Sequence, residues 1–195
     1  MKTNESIARK IKRGKIGVIP TDTIYGIAAA AFSKKAIKRA YKILKRNSKK
    51  PFIVLINSIE DLALFNIELD RATRNILEKL WPGKVSVILP VKARKFEYLH
   101  RGTKTLAFRL PKKTSLVKIL KQTGPLISTS ANPESAKPAE TIAEAKKYFG
   151  KGVDFYINGG KIKSLPSTLV EIKDGNVNVL RNGEGKITNH VTRNM

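Results

Sequence analysis

The sequence contains no cysteine, which excludes disulfide bonds, thiolate zinc sites and a cysteine nucleophile. It also contains no apolar run that approaches the length of a membrane-spanning helix. The first 13 residues are polar and basic, so we expect neither a signal peptide nor a membrane anchor. These absences predict a cytoplasmic protein that has no membrane partner.

Acidic residues are scarce, because 15 aspartates and glutamates stand against 39 lysines and arginines, a formal net charge of +24. Such a charge attracts polyanions and makes their binding sensitive to salt. One interpretation is an RNA or nucleotide partner. The other is a solvated, lysine-rich surface without a specific partner, because most of these charges are lysines scattered along predicted helices. Charge alone leaves both interpretations open.

Helix-like and strand-like periodicity alternate along the chain, without internal repeats or a low-complexity linker. The pattern predicts one α/β or α+β domain over residues 1–185 and a tail at 186–195. Predicted helices cover 4–13, 33–44, 58–65, 70–81, 114–122 and 141–149. Predicted strands cover 16–20, 52–56, 85–91, 105–110, 126–128, 153–157, 168–172 and 177–180, the last two joined by a turn at 174–176.

Polar residues concentrate where predicted strands end, in five places: 20–26, 45–51, Arg109, 128–132 and 166–168. Loops at strand ends meet in a ligand crevice in α/β sheets. The clusters offer hydroxyl, amide, guanidinium and ammonium groups but few carboxylates, which suits binding of phosphate or carboxylate anions. Each cluster alone also fits an ordinary turn, a helix cap or a surface charge run. The functional interpretation therefore depends on their joint occurrence.

Several common catalytic patterns are missing. There is no Gly-x-x-x-x-Gly-Lys-Ser/Thr loop and no dinucleotide-binding glycine fingerprint. His100 and His190 lie in basic surroundings without an evident serine–aspartate pair, which argues against a histidine general base. A site of this composition acts through positioning and electrostatic stabilisation, which suits nucleotidyl transfer.

The ordered set of motifs is more specific than any one of them. The segments are Gly14–Lys15, Pro20–Gly26, Arg46 with Pro51, Trp81–Gly83, Leu106–Pro111, Ser128–Asn132, Pro166–Thr168 and Leu180–Gly183. Their order and spacing resemble the single-domain form of the YrdC family over roughly residues 5–185. The resemblance implies a YrdC/RibB-like α/β (α+β) fold, in which helices flank a single-domain twisted mixed sheet with a large basic cavity.

The same resemblance implies an activity. The family is known for threonylcarbamoyl-adenylate synthases, which join L-threonine, bicarbonate and ATP, accompanied by Mg²⁺, into threonylcarbamoyl-AMP and release pyrophosphate. A separate threonylcarbamoyl-transfer enzyme then modifies an adenosine in the anticodon loop of tRNA. Together with the basic charge, this makes tRNA or double-stranded RNA an expected partner.

Candidate binding residues for ATP and threonine follow from the resemblance, whereas no catalytic residue or metal ligand is assigned. Thr21 and Thr23 fall in the loop that helps to hold threonine, and Tyr25 lies in the same loop. Arg109 matches a residue suited to the amino-acid carboxylate, and Thr105 matches a ligand contact. The remaining candidates match phosphate, ribose or other ligand contacts: Lys45, Arg46, Lys50, Ser128, Ser130, Asn132, Ser167 and Arg181.

The chain departs from the family pattern near the expected phosphate site. Leu44 stands where the family has the lysine of its Lys-x-Arg motif, although its position also fits a buried helical stripe. Lys45, Lys49 or Lys50 would then supply the charge, and the sequence does not choose among them.

Two further positions differ. Leu55 replaces a histidine of many relatives, and Ala139 replaces a serine. The lysine that Leu44 replaces would stabilise the transition state, so its loss would weaken catalysis. The alternative prediction is therefore a non-catalytic, RNA-binding paralogue. Carbamoyl-adenylate chemistry of the hydrogenase-maturation type is a weaker alternative, since no zinc-finger or acylphosphatase-like segment is present.

Overall fold

The structure, a computed structural model, describes residues 2–173 and 175–187. Asp174 of the predicted hairpin turn and residues 188–195 of the predicted tail lie outside the described residues, and the proposed domain limits stay a prediction. The α-helices are α1 (Lys2–Lys12), α2 (Lys34–Leu44), α3 (Arg71–Leu80), α4 (Glu97–His100), α5 (Thr114–Thr123) and α6 (Ile142–Phe149). Short 3-10 helices occupy Ile59–Phe65 and Arg94–Phe96.

The described strands form one mixed sheet. They are β1 (Gly17–Pro20), β2 (Tyr25–Ala30), β3 (Ile53–Leu55), β4 (Val85–Pro90), β5 (Thr105–Arg109), β6 (Leu126–Ser130), β7 (Phe155–Tyr156), β8 (Thr168–Lys173) and β9 (Asn176–Arg181). Their order across the sheet is β7-β1-β2-β6-β3-β5-β4-β8-β9. The pairs β1–β7, β3–β5 and β4–β8 are parallel, and the other neighbouring pairs are antiparallel. This architecture confirms the predicted mixed sheet flanked by helices.

Alternate strand residues face two separate cores. Ile27 of β2 and Ile127 of β6 belong to a large cluster that includes apolar residues of α2 and α3. Their neighbours Ala28 and Leu126 belong to a smaller cluster with residues of α1 and α5. Because successive strand side chains point to opposite faces, the two clusters lie on opposite sides of the sheet. The sheet is thus covered by helices on both faces, over different parts of its width.

Helix α2 shows how the sequence produces one of these contacts. Its apolar residues Ala36, Ile37, Ala40, Tyr41 and Leu44 recur every three or four positions, and all are buried. The Ser33 side chain caps the helix by accepting a hydrogen bond from the Ala36 amide at 3.3 Å. The helix ends at Lys45, whose φ of 49° is left-handed. The chain then enters the segment 45–51, hereafter the 45–51 loop.

Strand β2 was not predicted, although it lies near the middle of one half of the sheet. Its sequence is Tyr-Gly-Ile-Ala-Ala-Ala, and alanine and glycine have little intrinsic preference for strands. The strand is almost fully buried, and it pairs with both β1 and β6. Tertiary packing on both faces and both edges therefore overrides its weak local preference.

Other predicted elements needed smaller corrections. The segment 58–65 was predicted as a helix and is a 3-10 helix, and α4 with the preceding 3-10 turn was not predicted. Strand β6 continues to Ser130, two residues beyond the predicted strand 126–128. In the part of the chain that the structure describes, no helix has the length and apolar character needed to cross a membrane.

Candidate functional site

A cavity of about 460 Å³ lies against the sheet face that carries the smaller core. Its wall includes Ser128 and Ser130 of β6, which share a face with Leu126 of that core. Ala107 and Arg109 of β5 also line it, whereas Phe108 between them belongs to the large core. The cavity volume falls in the usual range for small-molecule sites. Helices α1 and α5 pack on one part of this face, and the cavity occupies another.

The strand register brings distant segments to this one face. Gly26 pairs with Ser130, Leu55 pairs with Arg109, and Leu169 pairs with Arg181. The complete lining is Thr21, Thr23, Ile24, Gly26, Arg46, Pro51, Phe52, Ile53, Leu55, Ile88, Thr103, Thr105, Ala107, Arg109, Ser128, Thr129, Ser130, Pro138, Pro166, Ser167, Leu169 and Arg181. Hydroxyls, three guanidinium groups and apolar side chains thus share one space.

Arg109 is the most enclosed cation of the site, with a side chain that is 4% exposed. Its Nη2 donates to Oδ1 of Asp22 at 2.9 Å, and its Nη1 donates to Thr23 Oγ1 at 3.2 Å. Its Nε is buried and has no partner among the described residues. Burial lowers the pKa of Arg109, the Asp22 carboxylate opposes that shift, and Arg181 adds to it. Hydrogen bonds therefore hold two of the three guanidinium nitrogens in place, whereas Nε has no acceptor among the described residues.

The 20–26 turn fixes the groups that hold Arg109. Thr21 Oγ1 donates to the Ile24 carbonyl at 2.7 Å and accepts from the amides of Thr23 and Ile24 at 3.1 and 3.2 Å. Asp22 Oδ2 also accepts from the Lys112 amide at 3.3 Å. Side-chain oxygens that bond nearby backbone in this way define tight turns. Thr21 thus organises the turn, and Thr23 and Asp22 reach Arg109.

Arg46 reaches the cavity from the 45–51 loop. Its Nε and Nη2 donate to the carbonyls of Lys50 at 3.2 Å and Pro51 at 3.3 Å, and its guanidinium lies 5.4 Å from the Phe52 ring centre. Burial lowers the pKa of Arg46, while Tyr41 and Glu134 oppose that shift. The loop therefore holds Arg46 through neutral carbonyls and an aromatic ring, although Glu134 lies near enough to favour its charge.

Arg181 reaches the cavity because of a β-bulge. Val170 pairs with Val179 but Leu169 pairs with Arg181, so Leu180 is an extra residue in β9. The bulge turns Arg181 to the face of Leu169, where it lines the cavity. Arg181 Nη2 donates to the Ser167 carbonyl at 2.8 Å, and the Ser167 hydroxyl lies 2.8 Å from that of Ser86.

The three arginines are close enough to influence one another. Arg181 is exposed as a whole residue, but its partial burial lowers its pKa, and the positive charge of Arg46 lowers it further. Arg181 in turn lowers the pKa of Arg109. Among the described residues, Asp22 is the carboxylate that forms an ion pair with any of the three. Positive charge therefore exceeds negative charge in the cavity, which favours an anionic ligand.

The rest of the cavity wall carries hydroxyl groups and includes the backbone of Gly26. Thr105, Ser128 and Ser130 all line the cavity. A Cβ on Gly26 would lie 2.9 Å from Ser128 Oγ and 3.1 Å from the Thr129 carbonyl. A side chain there would push the Ser128 hydroxyl aside and crowd the Thr129 carbonyl, so glycine leaves this part of the wall open.

Of the predicted site residues, the structure gathers nine at the cavity. They are Thr21, Thr23, Arg46, Thr105, Arg109, Ser128, Ser130, Ser167 and Arg181. Tyr25 and Asn132 are not among the lining residues. The Tyr25 hydroxyl bonds the backbone of Gly159 and Gly160, each at 2.7 Å, and Asn132 Nδ2 donates to the carbonyls of Pro133 and Ala136. Their roles as ligand contacts stay predictions.

The three lysines that would replace the motif lysine also stay outside the lining. Lys45 and Lys49 are exposed, and Lys50 forms an ion pair with Glu134 at 2.7 Å. Leu44 is buried in the large core, as its helical spacing indicated. No ammonium group of these lysines therefore lines the cavity in this conformation of the 45–51 loop.

Sequence reasoning missed several wall residues. Leu55 lines the cavity as an aliphatic side chain, and Phe52, Ile53 and Ala107 add further apolar surface. Asp22 belongs to the motif Pro20–Gly26 but was not predicted as a site residue. Its position between two threonines was the available signal, because a carboxylate beside hydroxyls is a natural partner for a buried arginine.

Within residues 2–173 and 175–187, no group of three histidine or acidic side chains is arranged to hold a metal ion. Asp22, the ion-pair partner of Arg109, also accepts a hydrogen bond from the Lys112 amide. A Mg²⁺ ion that accompanies ATP would thus be bound mainly by phosphate oxygens.

Comparison with known proteins gives consistent matches over most of the chain. A family model named Sua5–YciO–YrdC, described as "Telomere recombination", matches residues 9–183. A protein of Methanocaldococcus jannaschii is 33% identical over 186 residues, which cover 93% of this chain and 86% of the relative. A Nitrosococcus oceani protein named threonylcarbamoyl-AMP synthase is 32% identical over 86% of this chain and 90% of its own length.

Solved structures give the same match. The crystal structure of P. abyssi Sua5 complexed with L-threonine aligns with a TM-score of 0.83 and 26% sequence identity. The alignment covers 93% of this chain but 54% of that longer one. The similarity therefore extends over nearly the whole chain and about half of the longer protein.

Proposed function

The chain belongs to the Sua5–YciO–YrdC family, and from this premise we propose that it is a threonylcarbamoyl-AMP synthase. It acts as a nucleotidyltransferase on L-threonine, bicarbonate and ATP. The observation that carries the proposal is the meeting of Arg46, Arg109 and Arg181 with serine and threonine hydroxyls in one cavity. These groups are suited to a carboxylate and a chain of phosphates held side by side.

The threonine carboxylate is assigned to Arg109. This guanidinium lines the cavity and is held by Asp22 and Thr23, so its orientation is fixed before a carboxylate binds. A relative whose structure is described as complexed with L-threonine supports an amino-acid substrate. Apolar wall residues such as Leu55 and Ala107 leave room for the threonine methyl group.

The triphosphate is assigned to the side of the cavity where Arg46 and Arg181 approach each other. An anion between the two guanidinium groups reduces their mutual repulsion, which makes phosphate binding favourable there. A Mg²⁺ ion carried by ATP would supply further charge neutralisation of the phosphates.

The reaction then needs two bond-forming steps. The threonine amine attacks bicarbonate, forming the C–N bond of a carbamate and releasing water. A carbamate oxygen attacks the α-phosphorus of ATP, a new P–O bond forms, and the bond to pyrophosphate breaks. The residues of the chain orient the reactants and stabilise the negative charge, which are the main contributions in phosphoryl-type transfer. The product suits delivery to a cytoplasmic enzyme that modifies tRNA.

The test is pyrophosphate release from Mg-ATP with the product identified by mass spectrometry. We expect release to require both L-threonine and bicarbonate, with an AMP-linked product. Omitting either substrate should reduce release to the background of the protein-free mixture. Pyrophosphate release at the same rate with and without L-threonine, or formation of ADP instead of AMP products, would contradict the proposal. The non-catalytic alternative predicts no release in any mixture, and the named synthase relative does not favour it.

A further inference from the structure

A second depression lies outside the cavity and is mainly lined by cations. It has a volume of about 500 Å³, and five basic side chains line it: Lys34, Lys49, Arg94, Lys95 and Arg101. Glu97 is the acidic residue that lines it. We call this depression the basic groove. Its side-chain charges sum to about +4 at neutral pH, taking the usual ionisation of these groups.

The cations of the basic groove are unpaired. All five are exposed, and none forms an ion pair with a carboxylate within the described residues. Three of them instead lie over aromatic rings: Lys34 over Tyr98 at 5.3 Å, Lys95 over Phe96 at 4.9 Å and Arg101 over Tyr41 at 5.2 Å. Cation–π contacts orient a cation without neutralising it. The full positive charge therefore remains available to an external anion.

The basic groove adjoins the cavity through two shared segments. Ser48 and Lys49 line the groove, while Arg46 and Pro51 of the same loop line the cavity. Arg101 lines the groove and Thr103 lines the cavity. Arg101 Nε also donates to the Ser48 carbonyl at 2.7 Å, which ties the two segments together. A molecule bound in the groove would therefore contact the segments that form one wall of the cavity.

We infer that the basic groove binds the phosphate backbone of RNA beside the cavity that makes the adenylate. Exposed, unpaired lysines and arginines are the residues that neutralise nucleic-acid phosphates. The aromatic ring that lines the groove, Tyr98, is covered by Lys34 and donates its hydroxyl to the Ala31 carbonyl at 3.2 Å. It is not free to stack on bases, so contacts to the backbone are favoured over contacts to unpaired bases.

The test compares two triple variants that remove equal charge. The groove variant carries Lys34→Gln, Arg94→Gln and Lys95→Gln, which leaves the Arg101–Ser48 bond and Lys49 of the 45–51 loop in place. The control variant carries Arg71→Gln, Lys118→Gln and Lys121→Gln on α3 and α5, where all three residues are exposed and outside the groove. Thermal unfolding of both variants checks that they fold. The probe is an unmodified tRNA transcript, and binding is followed by fluorescence anisotropy over a series of salt concentrations.

We expect the groove variant to bind the transcript at least tenfold more weakly than the wild type near physiological salt, and the control variant less than about threefold more weakly. Three lost phosphate contacts should reduce the slope of log Kd against log salt by about 2–3. Equal losses in the two variants, or no loss in either, would overturn the inference. Displacement of the transcript by polyglutamate at equal charge concentration would overturn it in favour of an acidic protein partner.

Pyrophosphate release is measured on the same samples. The groove residues do not line the cavity, so the groove variant should keep wild-type turnover. An inactive wild type that still binds RNA through the groove would contradict the synthase function alone. An active protein whose RNA binding is unchanged in the groove variant would contradict this inference alone.

Discussion

The cavity and the basic groove both concentrate cations, but the two regions hold them by different means. In the cavity, Arg109 is buried, bonded to Asp22 and Thr23, and fixed by a tight turn. In the groove, Lys34, Arg94 and their neighbours are exposed and unpaired. A buried, oriented guanidinium suits one small anion in one position, whereas exposed cations suit a long polyanion in many positions. Under the two proposals, one basic chain separates substrate positioning from RNA attraction.

The largest effect is expected when the guanidinium group of Arg109 is removed. Arg109→Lys keeps the charge but removes the planar donors, and we expect kcat/KM for L-threonine to fall by about 10²–10³-fold. Arg71→Lys, on the exposed surface of α3, is the matched control and should change kcat/KM by less than about twofold. Steady-state pyrophosphate release measures both. A near-normal rate for Arg109→Lys would show that charge alone is enough in the cavity.

Salt concentration should affect binding in the two regions differently, and this is the next largest effect. If the groove makes about three phosphate contacts, a fourfold rise in salt weakens tRNA binding by roughly 20–40-fold. The KM for L-threonine should change by less than about threefold, because buried charges are screened much less than exposed ones. Anisotropy and steady-state kinetics over the same salt series give the two values. Parallel changes in both would mean that the cavity behaves as an open basic surface.

Removing the carboxylate that holds Arg109 tests whether its orientation matters. Asp22→Asn keeps the side-chain shape and one acceptor but leaves Arg109 buried without a counter-ion. We expect a rise of about tenfold in KM for L-threonine with a smaller rise in KM for ATP. Asp154→Asn is the control, since Asp154 also pairs with an arginine, Arg39, but lies outside the cavity. An equal effect of the two substitutions on KM would point to general destabilisation instead.

The smallest effect is expected in the 45–51 loop. Lys45→Ala and Lys50→Ala should each raise the KM for ATP by less than about threefold, because neither side chain lines the cavity. Arg46→Ala, in the same loop, should raise it by about tenfold because it removes a charged donor to phosphate. A larger effect for either lysine would show that the loop rearranges when ATP binds and supplies the motif charge that Leu44 lacks.

Features set by local chemistry could be predicted from the sequence. The buried stripe of α2, including Leu44, follows directly from helical spacing. Thr23, Arg109, Asn132 and Ser167 were predicted to converge, because polar residues at strand ends meet at one side of a sheet. Thr23, Arg109 and Ser167 line the cavity, whereas Asn132 does not.

Features set by tertiary packing could not be predicted. Strand β2 has the weak strand preference of an alanine-rich segment and forms because neighbours cover it on every side. Arg181 faces the cavity only because Leu180 is accommodated as a bulge, and strict alternation from Val179 would turn it to the other face. The groove assembles from residues of three separate segments that share no motif.

The most direct measurement is a crystal structure of the chain with L-threonine and a non-hydrolysable ATP analogue bound together. The predicted result has the threonine carboxylate within hydrogen-bond distance of Arg109 and the triphosphate between Arg46 and Arg181. Either ligand bound elsewhere, for example the triphosphate against Arg94 and Lys95 of the groove, would contradict the assignment of the cavity.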